Sequence, residues 1–105
     1  MAAIGFLETS GRLGAIVATD IALKTANVEL VSLSRTSGGL ITLIIKGEVA
    51  AVHAAIEKAQ KEAKVLCKYV TTNVIAQPAD DILATIEAIN QKRKSLKRGL
   101  NPRKS

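Results

Sequence analysis

Residues 28–48 read VELVSLSRTSGGLITLIIKGE, and the fold turns on this stretch. Val28 to Ser34 (VELVSLS) is rich in β-branched residues and reads as a strand. Leu40 to Ile45 (LITLII) is almost continuously apolar, which suits a central strand covered on at least one face and argues against an edge. Between them, Thr36-Ser37-Gly38-Gly39 supplies the residue types that turn a chain. Lys46-Gly47-Glu48 then punctuates before the next element.

Downstream, Val49, Val52, Ile56, Ala59 and Ala63 recur at steps of three and four and line one face of a helix. His53, Glu57, Lys61 and Lys64 fall opposite. Lys68 to Ala76 returns to strand character, and Pro78 ends it because proline cannot donate to a ladder. Asp80 or Asp81 caps a third helix on Ile82, Ile86 and Ile89. Upstream, Ala2 to Thr9 is a short apolar run, and Ser10 is placed to cap the helix that follows. That helix, Arg12 to Thr25, carries Leu13, Ile16, Val17 and Ile21 as its expected core stripe, interrupted by Asp20. The order β-α-β-β-α-β-α is that of an α+β fold of the ferredoxin-like, split βαβ class. This class hosts many functions and names none.

A chain of 105 residues makes one modest domain, and 48% hydrophobic content excludes disorder. Phe6 and Tyr69 are the only aromatics, so the core is Ile, Leu, Val and Ala, which favours close helix-on-sheet packing over a roomy cavity. A single cysteine rules out an intrachain disulfide and points to a reducing compartment. The net charge of +6 belongs to one end. Residues 1–91 hold eight cations against all nine acids, whereas 92–105 carry seven cations and no acid. The division expected is a folded domain over residues 1–90 and a basic extension over 91–105. The longest uncharged run, Tyr69 to Ala79, is eleven residues, short of the roughly 18 needed to span a bilayer. A soluble, cytosolic protein without membrane contact is expected.

Catalysis needs convergent reactive groups, and none converge here. His53, the only histidine, lies on the expected solvent face of its helix. Cys67 has no second cysteine and no neighbouring histidine, so it reads as a structural thiol. No metal-ligand spacing occurs, no cofactor motif is present, and a helix start accounts for Asp80-Asp81. Ser37-Gly38-Gly39 lacks the Lys-Ser/Thr and following helix of a phosphate loop; on spacing alone it is a hairpin turn. VELVSLS and LITLII hold no aromatic on which RNA bases would stack.

Several segments together carry a resemblance: Ala3-Ile4-Gly5-Phe6-Leu7-Glu8-Thr9, Lys24-Thr25-Ala26-Asn27-Val28-Glu29-Leu30-Val31, Gly38-Gly39-Leu40-Ile41-Thr42-Leu43, and Ile44-Ile45-Lys46-Gly47-Glu48-Val49-Ala50-Ala51-Val52. They resemble the bacterial microcompartment (BMC-type) shell proteins, in the unpermuted order of elements and over approximately residues 2–86. The resemblance implies a homo-hexamer around a central opening. It further implies hexamers joined edge to edge, with other shell proteins, into a layer enclosing metabolic enzymes in the bacterial cytoplasm. The family's pore loop falls on Arg35, Thr36, Ser37, Gly38 and Gly39; a common version reads Lys-Ile-Gly-Ser-Gly, so the polar residue has moved. Ser37 hydroxyls and glycine N–H groups there would favour small polar or anionic solutes. The family's tile-edge lysine corresponds to Lys24, with Asn27 nearby, and Gln77 stands before Pro78 where many members have arginine.

Residues 91–105 exceed what many members of that family carry. With Leu96 and Leu100 near the stripe of the third helix, broken by Arg93, and Gly99 and Pro102 to end it, they suit a basic amphipathic helix for a cargo protein such as an encapsulated enzyme, an acidic surface, a membrane face or nucleic acid, the alternative being a soluble extension with no partner. Two other readings remain at this point: a small regulatory, ligand-binding oligomer of the same topology, and a nucleic-acid-binding module driven by the basic segment. The balanced charge of residues 1–91 disfavours nucleic acid as a partner of the folded body.

Overall fold

The computed structural model describes residues 2–76 together with Ile86 and Ala88. The elements run β1 (Ala2–Ser10), α1 (Arg12–Thr25), β2 (Val28–Arg35), a 3-10 turn (Ser37–Gly39), β3 (Leu40–Glu48), α2 (Val49–Leu66) and β4 (Val70–Ala76). The strands form one four-stranded sheet in the order β2-β3-β1-β4, every neighbouring pair antiparallel. This is the split βαβ arrangement: each helix carries the chain between two strands that do not touch, because another strand lies between them. β3, the LITLII strand, is central as expected, with β1 beside it and β2 and β4 at the edges.

Both helices pack on one face of the sheet and against each other. Alternation sends Ala3, Leu7, Leu43 and Ile45 toward them, where they join Val52, Ala55, Ile56, Ala59 and Ala63 of α2. The stripe expected of α2 is therefore its buried face, and His53 is exposed. Gly5 sits in the middle of β1 under α2; a Cβ there would lie 2.7 Å from Cγ1 of Ile56 and 2.8 Å from Cγ1 of Val52. Glycine at this position lets the helix ride directly on the strand backbone.

Three expectations need correction. The first concerns α1, whose buried residues are Gly14, Ala15, Ala18 and Ala22, while Leu13 and Ile16 stay 62% and 55% exposed. Small residues win this face because α1 lies along α2, whose own contribution to the shared core is largely alanine, and two such helices approach closely only through small side chains. Second, Ser10 ends β1 instead of capping α1; Gly11, at φ 95°, is the N-cap and no side chain caps the helix. Third, Lys46-Gly47-Glu48 does not punctuate β3 but extends it, pairing with Ala2–Ile4, and α2 begins with no spacer. β2 forms where a strand was expected, with an irregularity of its own. A bulge between Leu30 and Ser32 shifts its register, so Leu30 pairs with Ile45 and Leu33 with Leu43, and both leucines share the helix-bearing face. The third helix expected after Asp80 lies outside the described residues except for Ile86 and Ala88, which are helical.

Candidate functional site

Everything chemical about the 36–39 loop follows from two glycines. Gly38 and Gly39 both have φ 79°, the left-handed region that side-chain-bearing residues avoid, so the chain reverses within three residues. Thr36 closes the loop at its base: its N–H donates to the Leu40 carbonyl at 2.7 Å, and its hydroxyl donates to the same oxygen at 3.1 Å. That hydroxyl is thus engaged within the loop. A Cβ at Gly38 or Gly39 would meet nothing within 4 Å, so both stand in open space at the tip. Gly38→Ala therefore tests backbone strain alone, and thermal unfolding should show a loss of about 1 kcal/mol.

Arg35 ends β2 beside this loop and is exposed. Lys24 and Asn27 lie at the other end of β2, on the last turn of α1 and just before Val28. From Val28 to Arg35 an extended chain covers roughly 25 Å. The expected pore and edge residues therefore occupy opposite ends of the molecule. Lys24 makes an exposed ion pair with Asp20, Nζ to Oδ2 at 3.1 Å, which accounts for the acid that interrupts the helical stripe. Asn27 faces Gly47, whose Cβ, if it had one, would lie 3.2 Å from the Asn27 carbonyl oxygen. Gln77 and residues 91–105 lie outside the described residues.

One feature escapes sequence reasoning. Between α1 and the edge strand β2 runs an open cleft of about 460 Å³, lined by Arg12, Ile16, Leu33, Arg35 and Ile41 among others. Leu30 and Leu23 continue the apolar strip away from the loop, and Ile16, Leu23, Leu30 and Leu33 are each 40–55% exposed. The bulge in β2 creates it, by turning Leu33 to the same face as Leu30. The i, i+7 spacing of Ile16 and Leu23 was the available signal on the helix, but the bulge left none in sequence.

The remaining reactive groups are structural in their setting. The Cys67 thiol is half-buried against Gly14 and donates to the Ala63 carbonyl at 3.2 Å, closing α2. On the sheet face away from α1 and α2, Thr42 and Tyr69 donate to the two oxygens of Glu8 at 3.3 and 3.4 Å. Among the described residues no three or more His, Cys, Asp and Glu gather as metal ligands, and no helix is long and apolar enough to cross a membrane. β1, which lies beside β3 and carries the one aromatic of the sheet's inner strands, brings Phe6 to the face away from α1 and α2, opposite Ile44.

Residues 3–78 match the family described as the BMC domain. This chain belongs to the BMC-domain family. It is 38% identical over 80 residues to the bacterial microcompartment shell protein PduA of Citrobacter freundii, covering 76% of this chain and 86% of that protein. It is 37% identical over 82 residues to the shell protein EutM of Escherichia coli, covering 78% and 84%. The carboxysome assembly protein CcmO of Synechococcus elongatus is 36% identical over 84 residues, which span 80% of this chain but 30% of that longer one. Among solved structures, a microcompartment protein from Desulfitobacterium hafniense superposes with a TM-score of 0.75 at 26% identity, over 84% of this chain and 48% of that one. The ferredoxin-like topology read from the element order is thus the BMC fold, and its relatives are structural shell proteins.

Proposed function

We propose that this BMC-domain protein is a non-enzymatic tile of a microcompartment shell in the bacterial cytoplasm. Copies close into a hexamer with the Arg35–Gly39 loop at the axis, and hexamers join edge to edge, together with other shell proteins, through the Lys24–Asn27 end and Gln77. Residues 1–90 form the tile and the basic 91–105 segment serves enclosed enzymes. The observation that supports this reading is the placement of the glycine loop and the Lys24–Asn27 turn at opposite ends of one strand. A wedge with its narrow loop inward and its paired lysine outward has the polarity that a ring of tiles requires. At the axis, exposed Gly38 and Gly39 would bring backbone rather than side chains to the opening, which leaves it narrow, polar and passable to small metabolites.

Native mass spectrometry should give a predominant six-subunit species, and negative-stain images should show sheets, tubes or closed shells. A monomer or dimer at working concentration overturns the reading. Gly38→Leu places an apolar side chain at the tip and should cut the flux of small polar metabolites across reconstituted shells several-fold; unchanged flux removes the pore from the reading. Deleting residues 92–105 should leave hexamers intact and reduce enzyme capture, and equal capture removes that role for the segment.

A further inference from the structure

We infer that the sheet face away from α1 and α2 is an apolar helix-binding groove, and that the helix carrying Ile86 of the same chain occupies it. The inference goes beyond the proposed shell function and holds whether or not copies assemble. It starts from a burial that the strands and the first two helices leave unexplained. Alternation turns Ile4, Phe6 and Ile44 away from α1 and α2, and Ile75 joins them as the cross-strand partner of Ile4. Yet Ile4 is 0% exposed and Ile44 only 8%, as deep as the residues under the helices. Neither belongs to the core cluster on that other face. A bare sheet face leaves its side chains half in water, so this face is covered.

Ile86 and Ala88 point to the cover. Both are helical, Ile86 is half-buried and Ala88 is exposed. Residues two apart on a helix look in nearly opposite directions, so this helix has a protein side, and Ile86 is on it. Ile82 and Ile89 stand at helical spacing from Ile86 and share its stripe. The chain also arrives in the right place. β4 ends at Ala76, next to Ile75, and Pro78 cannot continue the ladder, so the segment turns off the sheet beside Ile4 and Ile75.

The dimensions agree. From Ile75 on β4, across β1, to Ile44 on β3 is two strand spacings, roughly 9.6 Å. Ile82 to Ile89 spans roughly 10.5 Å along a helix axis. Polar side chains bound the apolar strip: Ser34, Thr42, Glu8 and Thr71 form the row toward the glycine loop, and Lys46 with Glu29, 3.9 Å apart, flanks Ile4 on the other side. A strip of this width takes one amphipathic helix. The basic residues 92–105 follow directly on the Ile86 helix, so they leave the domain from its sheet side, away from α1 and α2.

Thiol accessibility tests this in the full chain, with Cys67→Ser as background. Ile44→Cys reports on the groove, His53→Cys on α2 is the open reference, and Ala59→Cys, fully buried under α2, is the folding control. A neutral maleimide should label Ile44→Cys about tenfold or more slowly than His53→Cys, and equally slowly at dilutions where sedimentation velocity finds single subunits. Adding Ile86→Asp should remove most of that protection while Ala59→Cys stays protected. Should Ala59→Cys open as well, the milder Ile86→Ala is read by the same three thiols. Deleting residues 92–105 should leave Ile44→Cys protected, which assigns the cover to the helix and not to the basic segment. Four results would each overturn the inference: fast labelling of Ile44→Cys with Ile86 in place, protection that survives both Ile86 variants, Ile44→Cys and Ala59→Cys opening together even in Ile86→Ala, and loss of protection when 92–105 are removed. Protection that fades on dilution would give the groove to a second copy and overturn it too. Native mass without a six-subunit species removes the shell reading and leaves this one standing.

Discussion

Gly5→Val is expected to destabilise the protein by about 3 kcal/mol, the upper part of the range for overpacking a tight core. The atoms a side chain would strike are Cγ1 of Ile56 at 2.7 Å, Cγ1 of Val52 at 2.8 Å and Cδ1 of Ile56 at 3.0 Å. Neither partner can yield easily: Val52 is fully buried and Ile56 nearly so, and both are β-branched, with little χ1 freedom on a helix. The strand cannot recede either, because β1 is held by β3 on one side and β4 on the other, with Gly5 opposite Ile45 and Val74. What remains is to lift α2 off the sheet, at the expense of contacts along its buried face. Urea unfolding at a fixed protein concentration measures the loss; concentration must be fixed because assembly adds its own stabilisation. Gly5→Ala with Ile56→Ala should recover part of it, with a coupling of about 1 kcal/mol or more between sites in direct contact. A Gly5→Ala protein as stable as the parent would contradict the close helix-on-strand approach.

The contrast with Gly38 separates two uses of glycine that look the same in a sequence. At Gly5 there is no room for a side chain although the backbone is ordinary strand; at Gly38 there is open space, but the backbone is left-handed. Substitution at the first should worsen steeply with side-chain size. At the second, alanine already incurs most of the stability loss, and larger residues alter the opening more than the fold.

The element order, the central place of β3, the buried face of α2 and the glycine turn were legible, because each rests on local periodicity that tertiary contacts reinforce. The LITLII run has one stable environment, and Val52, Ile56, Ala59 and Ala63 have one common face. Two features were not legible, and for the same reason. In α1 Leu13 and Ile16 were expected inside with Val17 and Ile21, but only Ile21 packs against the core and the buried positions are alanines and a glycine, and in β2 a bulge breaks the alternation on which face assignment depends. Both features fall on the flank that forms the cleft. An exposed apolar strip has the composition of a core, so the hydrophobic pattern of a single chain cannot tell buried from exposed on that flank. The residues proposed for the pore and the edge show a different limit. The Arg35–Gly39 loop and the Lys24–Asn27 turn fall at opposite ends of β2 by the fold, but a residue such as Lys24, ion-paired within its own helix, carries no chemistry that marks an edge.

Ala18→Leu and Ile16→Ser should accordingly have effects opposite to those a hydrophobic stripe suggests. Ala18 is fully buried in the core cluster with Ala22, Ala55, Ala59 and Ala63, so leucine must push α1 and α2 apart, with an expected loss of about 2–3 kcal/mol in urea unfolding. Ile16, more than half exposed in the single chain, should cost its fold no more than about 0.5 kcal/mol as serine, within the range of surface substitutions. The same serine removes an apolar wall of the cleft, so it should shift the ring toward single subunits that keep native circular dichroism. Sedimentation velocity across a dilution series distinguishes the two kinds of damage: Ala18→Leu lowers the unfolding midpoint even where the protein is dissociated, and Ile16→Ser does so only where the parent is assembled. If instead Ile16→Ser unfolds the dissociated chain and Ala18→Leu is tolerated, α1 presents its large residues inward after all, and the apolar wall of the cleft goes with it.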